Sequence, residues 1–141
     1  MEQRLTFITL GVLDLPAMVD FYRDQFGWQP LKELDGIVFF KLNGIILGLF
    51  PKEELAKDAG VPDDGSGFKN ITMAINFHSE AEVDVAFSEL EKKGVNIIKA
   101  PEKVFWGGYS GYVEDIEHNL WELAHNPFLE MDGEGNVTGH K

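Results

Sequence analysis

A half-buried strand, a capped helix and a run of further strands occur in that order twice along this chain, the second set following the first at about 65 residues. Two copies are too few for an extended array. Each copy must bury the apolar side of its own sheet under its own helix, and two such sheets leave a pair of faces that no helix covers. Every other feature of the sequence has to be accommodated by that arrangement.

The first copy opens with LTFITLGV, residues 5–12, in which Ile8, Leu10 and Val12 alternate with Phe7, Thr9 and Gly11 as in a strand with one buried face. A helix follows directly. Asp14 is placed to cap it and Pro16 sits in its first turn. Leu15, Met18, Val19, Tyr22 and Phe26 recur at helical spacing, and Gly27 supplies the left-handed stop. VFFKL and IILGLF then flank Asn43-Gly44, the dipeptide best suited to a type I′ hairpin, and a short strand before Gly36 completes the set. Residues 51–67 are rich in charge, Gly and Pro and predict a linker with at most a short helix at 53–57.

The second copy opens with NITMAINF, residues 70–77, which puts Ile71, Met73, Ile75 and Phe77 on one face and Thr72, Ala74 and Asn76 on the other. Ser79 and Glu82 form an S-x-x-E capping box for a helix with Val83, Ala86, Phe87 and Leu90 as its buried stripe and Gly94 as its end. Strands are predicted at 95–98, 104–106, 108–113 and 119–125. The fold class is therefore α+β: two βαβββ modules forming paired curved mixed sheets around a central cup, with helices outside. Module 1 spans about residues 4–52, the linker about 53–68 and module 2 about 69–127. Together they make a single domain over residues 1–127, and residues 128–141 read as a loose tail.

Composition narrows the function. The chain has 141 residues, enough for one ordinary core, and no cysteine, which removes thiolate metal sites, disulfides and a cysteine nucleophile together. With 12 basic against 24 acidic residues its formal charge of −12 opposes the phosphate backbone that dominates nucleic-acid affinity. No apolar run reaches the roughly 18 residues of a membrane span, and Met1-Glu2-Gln3-Arg4 lacks a signal-peptide core. A soluble cytoplasmic protein with neither nucleic-acid nor membrane partners is expected.

If the wholly apolar faces pack on helices, then Phe7, Thr9, Gly11, Thr72, Ala74 and Asn76 line the open side, a floor of small and mildly polar groups suited to a small-molecule site. Trp106, Tyr109 and Tyr112 flank Gly107, Gly108 and Gly111, where the backbone can bend or a ligand can come close. Glu122 interrupts the apolar strand Leu120-Trp121-Glu122-Leu123-Ala124 on the open side. A carboxylate there needs a partner: a metal ion, a proton to abstract, a ligand or neighbouring hydroxyl to accept from, or a structural cation.

The histidines assemble no site by spacing. His118 and Glu122 share parity but stand about 13 Å apart along a strand. His78 lies at a strand-to-helix junction, His125 on the face opposite Glu122, and His140 near the end of the chain. The Asp132-Gly133-Glu134-Gly135-Asn136 run lacks the late glutamate of a calcium loop.

ITLGVLDLPAMVDFYRDQFGW resembles the first strand and helix of the glyoxalase, bleomycin-resistance and extradiol dioxygenase (vicinal oxygen chelate) superfamily, and GGYSGYVEDIEHNLWELAHNP resembles its closing hairpin. The resemblance implies a homodimer binding a small molecule in an inter-sheet cavity. In metal-using relatives four inward side chains hold a divalent ion, and the equivalent positions here are Phe7, Gly48, Thr72 and Glu122. Only Glu122 is of a ligand type, so the resemblance implies no standard metal site and no obligatory cofactor. The expected ligand-binding set is Phe7, Thr9, Gly48, Thr72, Asn76, Trp106, Tyr109, Tyr112 and Glu122, with Glu122 also the candidate catalytic group. The ligand is expected to be a small aromatic or cationic molecule. A metal-dependent lyase or dioxygenase is the alternative reading. The relatives' turn before the last strand carries Gly where this chain has His118, a residue that tolerates left-handed backbone better than most.

Overall fold

A computed structural model describes residues 3, 6–65, 67–69 and 71–141, so the expectations for Arg4, Leu5 and Asn70 lie outside the described residues. The chain divides into two compact units, Met1–Gly67 and Phe68–Lys141. Each is built on an open four-stranded mixed sheet of the same topology, as the internal repeat requires.

In the first unit, β1 (Phe7–Val12) is followed by α1 (Leu15–Asp24) and then by β2 (Lys32–Leu34), β3 (Ile37–Lys41) and β4 (Ile46–Pro51). The sheet order is β1-β4-β3-β2, with β1 parallel to β4 and the other pairs antiparallel. The Asp14 carboxylate caps α1 by accepting from the Ala17 N–H at 3.0 Å, which satisfies one of the helix's orphan donors. Met18, Val19, Phe21 and Tyr22 on α1 are buried, as are Leu10, Val12, Val38, Phe40, Leu47 and Leu49 on the matching face of the sheet. Phe26, assigned to the helical stripe, lies just past the helix end. There it joins Tyr22 and Trp28, whose rings stack at 5.5 Å.

Two local expectations need correction. The Asn43-Gly44 hairpin forms, but a type I′ turn requires positive φ at both central residues, and only Gly44 has it, at 113°. Leu42 N–H donates to the Ile45 carbonyl at 2.8 Å, and Gly44 N–H donates back to Leu42 at 2.9 Å. The linker holds a longer helix than expected, α2 (Lys52–Ala59), closed by Gly60 at φ 72°. A Cβ on Gly11 would lie 3.1 Å from the Lys52 Cα and 3.4 Å from Leu55 Cδ2. Gly11 is therefore not open floor: α2 rests on it.

In the second unit, β5 (Met73–Asn76), α3 (Glu80–Lys92), β6 (Asn96–Lys103), β7 (Tyr109–Glu114) and β8 (Leu120–His125) repeat the pattern with sheet order β5-β8-β7-β6. Ser79 Oγ accepts from the Glu82 N–H at 3.2 Å, while the Glu82 carboxylate reaches back one residue beyond the cap, to the His78 N–H at 2.8 Å. Val83 and Phe87 are buried beneath the helix. One long, irregular β6 replaces the two strands predicted at 95–98 and 104–106. Val104 to Trp106 instead form the turn into β7, where Val104 N–H donates to the Gly108 carbonyl at 3.0 Å.

The end of the chain is also more ordered than its composition suggests. β9 (Leu129–Met131) and β10 (Val137–His140) pair antiparallel. Asp132 stitches their turn: Oδ1 accepts from the Glu134 and Asn136 N–H groups at 2.9 Å each, and Oδ2 accepts from Asn136 Nδ2 at 2.9 Å. The Asn136 bonds hold the Asp132 carboxyl below its usual range. The Asp-Gly-Glu-Gly-Asn run is thus a self-satisfied turn rather than a loose tail. Among the described residues no helix is long and apolar enough to cross a membrane.

Candidate functional site

Each sheet is covered by its helix on one face, and the register of the strands dictates which side chains stand on the other. In the second sheet β7 runs antiparallel to β8, pairing Tyr112 with Glu122 and Ser110 with Ala124. β5 runs parallel to β8, pairing Ala74 with Glu122 and Asn76 with Ala124. One rung of this face therefore reads Ala74, Glu122, Tyr112, and the next reads Asn76, Ala124, Ser110. Trp121, Leu123 and Val113 point to the opposite face and are buried.

Glu122 is not isolated. Its Oε1 accepts from the Ser110 hydroxyl at 2.6 Å, and Ser110 is only 5% exposed. Tyr112 stands directly across from Glu122 in the register. Burial, and after it the nearby Glu122 carboxylate, hold the Tyr112 phenol above its ordinary range, with Lys99 opposing. A tyrosine whose folded pKa is raised contributes stability that is fully present below the unfolded value, near 10, and is lost as pH rises through the folded value. Glu122→Gln removes the carboxylate charge that supports this rise. In an alkaline titration followed by phenolate absorbance, this variant should ionise Tyr112 at lower pH than wild type, a difference absent from a Tyr112→Phe background. Coincident curves would break the link between the two residues.

The first sheet offers the corresponding rung in apolar form. Thr9 pairs with Gly48, and Gly48 with Phe39. The shared topology makes Gly48 the counterpart of Glu122 and Phe39 the counterpart of Tyr112: where the carboxylate is missing, so is the phenolic hydroxyl that would meet it. A Cβ on Gly48 would stand 3.3 Å from Thr9 Oγ1 and 3.5 Å from the Phe39 ring, and Phe7 meets Phe39 edge-on at 5.7 Å.

The remaining candidates fall in different places. Thr72 precedes β5 and is exposed. Tyr109 has the opposite parity to Tyr112, so it stands on the helix side of the sheet and donates to the Asp84 carboxylate of α3 at 2.6 Å, which raises its pKa. The Trp106 ring lies across Gly108, where any Cβ would collide with the indole. Gly111 admits Phe87 and the β6 backbone rather than a ligand. Asn76, Tyr112 and Glu122 share one face; Phe7, Thr9 and Gly48 share another.

Ser110 was missed by composition and motif. Parity carried the signal, since a hairpin register anchored at the Asp115–Asn119 turn puts residue 110 on the face of 112 and 122. His118 holds φ 67° in that turn and lies 3.1 Å from Glu114, and His125 Nδ1 donates to the Phe77 carbonyl at 3.0 Å. Neither joins Glu122.

The four positions that hold a divalent ion in metal-using relatives do not fit one here. Gly48 has no side chain, Phe7 has no donor atom, and Thr72 offers a lone hydroxyl, which leaves Glu122 short of the three or more protein ligands such a site needs. Among the described residues no group of three His, Asp or Glu side chains is disposed to hold a metal elsewhere.

The model of the Glyoxalase/Bleomycin resistance protein/Dioxygenase superfamily matches residues 4–123. The chain belongs to this superfamily. A glyoxalase-related enzyme from Fulvimarina pelagi is 32% identical over 99% of this chain and 100% of its own, with a TM-score of 0.86. A glyoxalase/bleomycin resistance protein/dioxygenase from Nocardioides is 23% identical, covers 100% of this chain and 91% of its own, and has a TM-score of 0.81. A lactoylglutathione lyase from Agrobacterium tumefaciens is 28% identical over 89% of this chain and 96% of its own, with a TM-score of 0.71. Superfamily members often use a divalent metal.

Proposed function

We propose that this superfamily member binds a small aromatic or cationic molecule, that Glu122 is its polar anchor, and that binding needs no divalent ion. The carrying observation is Glu122 accepting from the buried Ser110 hydroxyl, with Tyr112 directly across from it on the same sheet face, so that the carboxylate is held by a neutral hydroxyl and not by a metal-ligating set. The same reading takes the protein as a cytoplasmic homodimer, supported by the absence of cysteine and by pairing among superfamily members. A monomeric mass in light scattering at micromolar concentration would remove the dimer.

The second reading, a metal-dependent lyase or dioxygenase, is favoured by the likeness to the lactoylglutathione lyase from Agrobacterium tumefaciens. Elemental analysis separates the two. Untagged protein purified without chelator, then incubated with excess Fe, Mn, Co, Ni or Zn and desalted, should carry far less than one ion per chain. A near-stoichiometric metal that disappears in Glu122→Ala would put the enzyme first.

A further inference from the structure

Ser110 is buried in the middle of β7, and its hydroxyl lies 2.6 Å from Glu122 Oε1. Tyr112, one rung along on the same strand and the same face, stands directly across from Glu122. The Ser110 donor and the Tyr112 side chain, both on the β7 side of β8, restrict how the Glu122 carboxylate can turn. Ser110 fills about one of its roughly four lone-pair positions, which leaves acceptor capacity away from β7. The choice of donors matters as much as their placement. Hydroxyl groups satisfy a carboxylate's hydrogen bonds without cancelling its charge, whereas a lysine or arginine would do both. Lys99, across from Tyr112 on β6, is engaged by Glu102 at 3.0 Å. On the side of Glu122 away from Tyr112 stands Ala74, and Ala124 follows along β8. Ala74 is exposed and has no atoms beyond Cβ to block a flat group, whereas Ala124 is buried.

We propose that Ser110 and Tyr112 are positioning residues for Glu122, and that the oriented carboxylate selects a planar nitrogen cation of the amidinium or guanidinium class lying over Ala74. The inference rests on the reading of Glu122 as the anchor. The planar cation is favoured over a simple ammonium because its paired N–H groups match a carboxylate's geometry.

The test is a fluorescence titration with p-aminobenzamidine, with neutral p-aminobenzamide as its isostere. Wild type should bind the cation saturably and the amide at least about ten-fold more weakly, and Glu122→Gln should lose about ten-fold toward the cation. Ser110→Ala and Tyr112→Phe should each lose about five-fold toward the cation, the effect of about one hydrogen bond, with amide affinity unchanged. Ser110→Thr, which keeps the hydroxyl, should restore binding. A merely structural serine would lower affinity for both probes together. Wild-type affinity in Ser110→Ala and Tyr112→Phe, with Glu122→Gln impaired, overturns the positioning role and leaves the anchor intact. Equal binding of the amide overturns the cation class. Wild-type affinity in Glu122→Gln, or no saturable binding of the cation, overturns the anchor and this inference with it.

Discussion

Gly111→Ala should lower the thermal midpoint by about 10 °C, corresponding to roughly 3 kcal/mol in a chain of this size. The added Cβ would stand 2.5 Å from the Lys99 carbonyl oxygen, 2.6 Å from Phe87 Cζ and 2.8 Å from the Pro101 nitrogen. Two of these neighbours are backbone atoms of β6, at the stretch where its pairing with β7 is irregular, so they cannot swing aside as a side chain would. The third is the tip of the buried ring that fastens α3 to the sheet. Gly111 has no positive φ, and elsewhere in a strand alanine would gain several tenths of a kcal/mol by restricting the unfolded chain. Here the collision dominates. Phe87→Leu in the same protein removes only the ring contact, so the double variant should recover less than half of the loss. Full recovery would show that the ring alone, and not the β6 backbone, fills the space. A Gly111→Ala protein as stable as wild type would show that β6 can move off β7 at little cost.

The repeat, both helices with their caps, and the parity that puts Glu122 opposite the buried Trp121 and Leu123 were legible because each rests on local periodicity. Asp14, Ser79, Gly27 and Gly94 act where their chemistry indicates. The losses came where an interaction spans strands. Val104 to Trp106 are β-branched and aromatic, which reads as strand, yet the turn that closes on Gly108 takes them. Tyr109 and Tyr112 look equivalent in the sequence, but three residues apart on a strand they must face opposite sides, and Tyr109 goes to Asp84. Ser110 has no motif at all. Its meaning depends on which residue of β8 it faces, a register set by the turn. Residues 132–136 read as unstructured by composition, while their side-chain to backbone bonds make a turn.

That register depends on Asp115, and Asp115→Ala should cost about 3 kcal/mol and loosen the seating of Glu122 as well. Asp115 is 2% exposed. Its Oδ1 accepts from the Glu117 N–H at 2.9 Å and the Asn119 N–H at 3.0 Å, and its Oδ2 accepts from Asn119 Nδ2 at 2.8 Å. Alanine would leave these three donors without their acceptor in a turn that already holds a non-glycine residue, His118, in left-handed backbone. Lys69, which donates to the Glu117 carbonyl and to Asn119 Oδ1, cannot replace them because it is itself a donor. Asp115→Asn keeps an acceptor but turns an NH₂ group toward one of the donors, so it should lose about half as much. Urea unfolding measures both, with the midpoint falling and the slope unchanged if the native state stays compact. The functional consequence separates turn from core. β8 begins at Leu120, directly after the turn, so a loosened Asp115 corner should weaken p-aminobenzamidine binding, while an equally destabilising Gly111→Ala, acting from the helix side, should affect it less. Equal losses of binding at matched stability would mean that Glu122 is seated by the sheet as a whole and not by its turn.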